Sequence, residues 1–267
     1  MASDRPAAFG LVPDWPDLPA NVGALASTRA RGFSLGPYDD GRGGGGLNLG
    51  QHVGDDPATV ARNRARLADA LPGYPAFIWQ VHGVAVVDAA TVGRGGRGPD
   101  ADASVATAPG VVCTVMTADC LPVLFADIDG RVVGAAHAGW RGLAAGVLGR
   151  TVAAMRAAGA GEITAWLGAA IGPRAFEVGQ EVVDTFVAGA LDGAEGQRLR
   201  AAFVALPGQR GKYCADIYAL GRIFLARDGV ERVSGGEHCT VTERATFYSY
   251  RRDGVTGRQA SMIWLRA

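Results

Sequence analysis

The sequence predicts an α+β fold, a single domain in which mixed β-sheets are flanked by helices. The strongest β signal lies between residues 111 and 136. There the runs VVCTVM, LPVLFAD and RVVGAAH are apolar and β-rich, and Asp129-Gly130 supplies a two-residue hairpin turn. Segments of helical periodicity stand among these strands, as in Val60, Arg64, Leu67 and Leu71. Strands and helices do not alternate regularly and no internal repeat is evident, which favours α+β over a doubly wound parallel sheet. A chain of 267 residues is long enough for one large domain or two small ones.

Taken in order, residues 1–45 are rich in proline and glycine and lead into Gly41-Arg42-Gly43-Gly44-Gly45-Gly46, a flexible loop by composition. Residues 55–71 read as a helix, with Asp55 or Asp56 as cap and Pro57 in the first turn. Residues 77–82 and 84–87 read as strands, and 93–99 (GRGGRGP) as a glycine loop suited to a mobile lid. After the hairpin, Gly139 and Gly142 open a helix that runs to about residue 158. The strand TAWLGAAIG leads into a helix over about 179–190, followed by a polar stretch to Lys212. Residues 213–228 read as a helix, and TFYSYRR and QASMIWL as strands around a turn at Asp253-Gly254.

Composition excludes several classes of function. Hydrophobic residues make up 48% and charged residues 19%, a globular balance incompatible with wholesale disorder. The formal net charge is zero, so no global basic field attracts nucleic acid or an anionic membrane. The first thirty residues lack a continuous apolar core, and no run approaches the ~18–20 apolar residues of a membrane span. The expected location is cytoplasmic. The four cysteines, at 113, 120, 214 and 239, form no C-x-x-C pair and are expected as free thiols.

One cysteine has unusual neighbours. If Asp129-Gly130 is the turn, residues 128 and 131 pair, and counting outward sets His137 opposite Pro122. Cys120 lies two residues farther along, at the same open end of the hairpin. His82 closes a strand and shares a face with Gln80, and Gly83 and Gly139 keep the backbone slim around the two histidines. His82, Cys120 and His137 together supply three ligands for a single metal, the pattern of a catalytic zinc whose fourth position is open. His52 is the candidate for a place at the rim or behind a ligand.

The words around these residues resemble a known family, the YfiH-like proteins, also called polyphenol-oxidase-laccase domains or zinc-type purine nucleoside phosphorylases. The matching words are Asn48-Leu49-Gly50, His52-Val53-Gly54-Asp55-Asp56-Pro57, Asn63-Arg64 and Gln80-Val81-His82-Gly83. They continue through Thr117-Ala118-Asp119-Cys120-Leu121-Pro122, His137-Ala138-Gly139-Trp140-Arg141-Gly142 and Ile171-Gly172-Pro173. Near the C-terminus come Ser249-Tyr250-Arg251 and Thr256-Gly257-Arg258-Gln259-Ala260-Ser261. The resemblance implies an αββα layering, an N-terminal extension over 1–24 and one catalytic domain over 25–267. Ala169 stands where the family usually has proline, Phe176 where it has tyrosine, and residues 30–46 depart from the usual entry loop.

By this resemblance His82, Cys120 and His137 are zinc ligands and the catalytic residues. The implied reaction is phosphorolysis of purine nucleosides (adenosine, inosine, guanosine and methylthioadenosine), with hydrolytic deamination of adenosine at the same site. The deaminase signature of H-x-E with P-C-x-x-C is absent, so deamination here would use a different scaffold. The implied partners are a purine nucleoside and phosphate, with neither nucleic acid nor membrane. Phosphate needs an anion site, for which Arg64 and the amides of residues 139–142 are candidates. Asn48, Gln80 and Arg141 complete the candidate substrate contacts, although Arg141 and Arg251 also read as structural ion-pair partners. Trp140 reads as a packing residue, and Asp119 either orients a ligand or caps a turn.

Three rivals stand beside this reading. A multicopper oxidase needs several H-x-H pairs, which four histidines without such a pair do not supply. A single copper on His₂Cys remains as an alternative metal, but the blue-copper type wants an axial methionine, and nothing in the sequence turns Met116 inward. A metal-free cysteine hydrolase would use Cys120 as nucleophile and His137 as base, and would suit editing of a peptidoglycan precursor. A non-enzymatic metal-binding protein is disfavoured by three ligands, because structural zinc is normally four-coordinate.

Overall fold

A computed structural model describes residues 9–267, and the chain runs in the following order. It opens with β1 (Gly10–Leu11), β2 (Val22–Ser27), β3 (Ala30–Ser34) and α1 (Pro57–Ala68), then β4 (Pro75–Phe77), β5 (Val86–Asp88) and β6 (Ala103–Ala106). The central hairpin comprises β8 (Leu121–Asp127) and β9 (Val133–Ala138), preceded by β7 (Val112–Thr117) and followed by α2 (Trp140–Ala144) and α3 (Val147–Ala157). Next come β10 (Ile163–Leu167), β11 (Glu177–Gly179), α4 (Gln180–Ala188), α5 (Gly193–Ala201), β12 (Phe203–Ala205), β13 (Lys212–Ala215) and α6 (Ile217–Arg227). The chain closes with β14 (Arg232–Gly235), α7 (Tyr250–Asp253) and β15 (Gln259–Leu265).

Strand alternation sorts the apolar side chains into three cores. The first sheet has the order β1-β2-β15-β7-β4 and the second β14-β10-β8-β9-β6-β5. On β15, Ala260, Met262 and Trp264 pack with Leu67 of α1, whereas Ile263 and Leu265 face the second sheet. On β8, Leu124 and Ala126 meet that inter-sheet core, while Leu121, Val123 and Phe125 turn to a third core under α3, α4 and α6. Each fully buried Val, Leu, Ile, Met or Phe among them contributes roughly 1.5–3 kcal/mol. The result is the α+β fold, with helix, sheet, sheet and helix in successive layers. A small sheet, β11-β13-β12, lies beside the α4–α6 layer.

Local signals explain the elements that were legible. Asp56 caps α1 by accepting the Thr59 N–H at 2.8 Å, Pro57 opens it, and Val60, Arg64 and Leu67 form its buried face. The β8–β9 register sets Pro122 opposite His137, as counted from the turn.

Other segments differ from expectation. The helix expected from Gly139 to about residue 158 is two helices, because Gly146 adopts φ +92° and breaks the chain between α2 and α3. The polar stretch before Lys212 contains α5 and β12, and residues 212–215 form β13 before α6 begins. Within TFYSYRR, α7 replaces the expected strand. Ser249 caps it, and the Arg252 guanidinium binds the carbonyls of Thr240, Val241 and Phe247, so tertiary hydrogen bonds override β propensity. The strand expected over 77–82 ends at Phe77 as β4. Beyond it, Trp79 makes only an isolated bridge to Asp100. Residues 10–11 and 22–24, ahead of the boundary drawn at residue 25, already belong to the first sheet. Among the described residues no helix is long and apolar enough to cross a membrane.

Candidate functional site

The open end of the β8–β9 hairpin carries two donors, and the loop after β4 brings the third. His137 is buried, Cys120 half-buried and His82 exposed, and their donor atoms all lie within 4.8 Å of one another. The Cys120 Sγ is 3.8 Å from His82 Nε2, and the two imidazoles meet edge to face with centroids 4.8 Å apart. Gly139 makes this approach possible. A Cβ there would come within 2.7 Å of His82 Cδ2 and 3.1 Å of the Cys120 Sγ. The backbone is unusual at two flanking points, with φ +60° at His82 and +99° at Asp119. Non-glycine residues rarely hold that conformation unless their surroundings fix it.

A single fully buried carboxylate fixes much of it. Asp102 accepts the backbone N–H groups of Val81 (3.2 Å), His82 (2.9 Å) and Gly83 (2.6 Å), and lies 2.8 Å from His137 Nδ1. It therefore holds the His82 loop in its left-handed turn. It also takes the hydrogen bond of His137 Nδ1, which leaves Nε2 as the ring nitrogen turned to Cys120 and available to a metal once its proton is displaced. Asp119 does the same for the loops behind Cys120, accepting from the Thr240 hydroxyl and the Arg251 N–H, each at 2.6 Å. Of the two roles considered for it, Asp119 thus clamps the turn.

Charge in the cluster is shared. Burial opposes ionisation of the Cys120 thiol, but the His137 charge and hydrogen bonds from His137 and His82 outweigh it and bring the thiol down to about 6. Burial likewise opposes a charged His137, yet the Cys120 thiolate and the Asp102 hydrogen bond raise it to about 9. The donors thus form a thiolate–imidazolium pair whose proton a metal cation would displace. Two imidazoles and a thiolate in a slot cleared by Gly139 suit a borderline-soft divalent ion.

Beside the cluster lies a cavity of about 330 Å³, into which His52, Arg64, Trp79, Gln80, Met116 and Arg258 project along with the three donors. Arg64 is buried. Its Nε donates to the Leu49 carbonyl at 2.9 Å, and its guanidinium stacks 3.8 Å from the Phe77 ring centroid. Gln80 reaches the cavity wall, but its amide both donates to and accepts from the Met116 backbone. His52 meets Trp79 edge-on at 5.6 Å, which places it at the rim. Gly96 and Gly98 of the glycine loop also line the cavity.

Two of the expected substrate contacts lie outside the lining of this cavity. Asn48 is fully buried and does not line the cavity. Its oxygen accepts from the Gly50 and Arg258 N–H groups, and its amide nitrogen donates to Asp55 and Gly50, so its polar atoms are engaged within the protein behind the cavity wall. Arg141 is exposed and lies over the Trp140 ring in a second depression of about 290 Å³ on the other side of His82 and Cys120, where Arg251 also lies. No carboxylate pairs with Arg141 or Arg251 among the described residues. Arg251 binds the Ala175 and Glu177 carbonyls instead. Met116, against expectation, does turn toward the cavity, where its sulfur lies 3.8 Å from the Arg64 guanidinium. Sequence reasoning missed Asp102 and gave Arg258 no separate role. Asp102 lies in a plain run of alanines, whereas Arg258 sits in a word that carries the family resemblance.

Fold and site together define a single-domain α+β protein with, among the described residues, one three-donor cluster able to hold a metal at the wall of a cationic cavity. The chain belongs to the family described as multi-copper polyphenol oxidoreductase laccase, whose model matches residues 23–266. It is 52% identical to the purine nucleoside phosphorylase PA4543 of Pseudomonas aeruginosa, over 96% of this chain and 98% of that one. It is also 52% identical to the purine nucleoside phosphorylase YfiH of Escherichia coli, again over 96% and 98%. The crystal structure of NMB0706 from Neisseria meningitidis matches with a TM-score of 0.84 at 50% identity, covering 96% of this chain and 99% of that one.

Proposed function

We propose that this protein is a zinc-dependent purine nucleoside phosphorylase that also deaminates adenosine, with inosine, guanosine and methylthioadenosine as further substrates of phosphorolysis. The observation that carries the reading is the meeting, in one cavity, of the His82–Cys120–His137 donor cluster and the buried Arg64 guanidinium. The names of relatives 52% identical along nearly the whole chain support it. Zinc held by His82, Cys120 and His137 would act as a Lewis acid, polarising a purine atom or activating water. Asp102 would keep the His137 Nε2 turned toward such an ion, and Arg64 would hold the phosphate dianion by charge-assisted hydrogen bonds.

Two other readings keep some support. The Cys120–His137–Asp102 chain also has the order of a cysteine hydrolase triad, which would serve a peptidoglycan-editing role. Met116 lines the same cavity as the donor cluster, which favours a single-copper site, although Arg64 lies against its sulfur. The deciding experiment incubates the purified protein with a panel of purine nucleosides, with and without phosphate, and follows free base and sugar phosphate. Base release that depends on phosphate is expected. Turnover of cell-wall precursors without nucleoside cleavage would favour the hydrolase.

Arg64→Lys separates the two nucleoside reactions. The variant keeps the charge and loses the fork, and such a charge-assisted pair contributes roughly 1.5–3 kcal/mol. The phosphate requirement of inosine cleavage should rise steeply while adenosine deamination, which needs only water, changes much less. A parallel fall in both reactions with the metal still bound would assign Arg64 to the nucleoside or the fold. The alternative anion site at residues 139–142 is weakened by the structure, because α2 spans only five residues and lends little helix dipole.

A further inference from the structure

Two arginines, and not one, face the cavity without an acidic partner. Among the described residues no carboxylate lies within ion-pair distance of Arg64 or Arg258. Arg64 is only 6% exposed, and a buried cation left without an anion is costly unless a ligand completes it. Both side chains hang on the same three-residue frame. The Leu49 carbonyl accepts from Arg64 Nε at 2.9 Å, and the Leu49 N–H donates to the Arg258 carbonyl at 3.1 Å. The Asn48 side-chain oxygen accepts the Arg258 N–H at 2.9 Å, and the Arg258 stem lies against Gly50, where a Cβ would come within 2.8 Å of its Cγ.

Each guanidinium is tethered by part of its donor set and keeps the rest. Arg258 uses one terminal nitrogen to bind the carbonyls of Thr256 (3.1 Å) and Gly257 (2.9 Å). Its other terminal nitrogen and Nε have no hydrogen-bond partner among the described residues, on a side chain that lines the cavity. Arg64 spends Nε on Leu49 and turns one terminal nitrogen toward the Met116 sulfur, 3.8 Å away. Burial first, and then the charges of Arg258, Arg64 and His137, hold the His52 imidazole below its ordinary pKa.

We propose that Arg258 is the second arm of a preformed oxyanion site whose first arm is Arg64, and that this site takes inorganic phosphate in the absence of nucleoside. The inference rests on the phosphate role assigned to Arg64 above. The Asn48-Leu49-Gly50 frame is its structural basis, since a fully engaged Asn48 fixes the backbone from which both arginines are held. Two guanidinium groups on a dianion, with no carboxylate within ion-pair distance of either among the described residues, form an arrangement that binds by charge-assisted hydrogen bonds and needs no rearrangement of the backbone.

The test is isothermal titration of inorganic phosphate into the full-length protein without nucleoside. Wild type should show saturable binding at one site. Arg64→Gln and Arg258→Gln should each weaken it by about tenfold or more, and Arg150→Gln on the exposed face of α3 should leave it unchanged. Should Arg258→Gln fail to fold, Arg258→Lys retains the stem against Gly50 and the charge but not the fork, and weakened binding is still expected. Wild-type affinity in a folded Arg258 variant overturns the second arm, and absence of saturable binding in wild type overturns the site. Arginine-dependent phosphate binding in a protein that cleaves no nucleoside upholds the oxyanion site and removes the phosphorylase reading.

Discussion

Asp102 shows how much of the site depends on one side chain. Its two oxygens serve three consecutive backbone N–H groups and the His137 imidazole, with no exposure to solvent. Asp102→Asn keeps the volume but replaces an acceptor by an amide NH₂ that faces other donors. The expected outcome is a 10–100-fold loss of metal affinity, the usual cost of removing a group that orients a ligand, read by competition with a chelator. Unchanged metal affinity in the folded variant would show that the His82 loop and His137 hold their positions without it. At this scale the sequence was informative about chemistry and less so about partners. The nearness of Cys120 and His137 was legible because the hairpin arithmetic relates them, and His82 stood in a recognisable word, whereas Asp102 reaches His137 across 35 positions and no local spacing announces it. Asn48 stood in a recognisable word, but its role is to hold Arg258 from 210 positions away.

Among the elements, those with strong local signals folded as read. The Asp129-Gly130 turn set the hairpin register, and the Asp56-Pro57 cap started α1. Those governed by tertiary contacts did not. A sequence signal for α5 existed in Asp192 and Glu195, a D-x-x-E capping pattern in which Asp192 accepts the Glu195 N–H at 2.8 Å, but the polar composition hid it. The α2–α3 break rests on Gly146 at φ +92°, where a side chain meets backbone strain and no neighbour within 4 Å. Gly146→Ala should therefore destabilise the protein by about 1–2 kcal/mol through conformation alone, measured by urea unfolding, with metal content unchanged. Greater stability in the variant would mean that α2 and α3 can merge into one helix and that the break is not required.

At the scale of the whole molecule, the first sheet ties the ends of the chain together. The last strand, β15, pairs with both β2 and β7, and Arg266 donates from its backbone to the Asn21 carbonyl at 2.8 Å. Trp15 reaches between the sheets to hydrogen-bond Thr164 at 2.9 Å, and Val22 and Ala24 are buried in the same core. Deleting residues 1–24 is expected to abolish cooperative thermal unfolding, monitored by circular dichroism, since it removes β1, half of β2 and the Trp15 side chain. A cooperative melt at the wild-type temperature would show that these residues are an appendage. The layering followed from alternation in the strands. The cavity did not, because its walls come from α1, the loop after β4, β7 and the segment before β15, which only the non-sequential strand order brings together.

The central claim is that His82, Cys120 and His137 hold one zinc ion on which activity depends. Elemental analysis of protein purified without added metal, in parallel for wild type, Cys120→Ser and Cys113→Ser, tests it most directly. Cys113 is fully buried and its thiol is pushed up to about 12 by that burial, so it should be inert. The account predicts about one zinc per chain in wild type and in folded Cys113→Ser, and loss of most metal and activity in Cys120→Ser. Several coppers per chain, undiminished nucleoside cleavage in metal-free protein, or equal metal loss in a folded Cys113→Ser would contradict it.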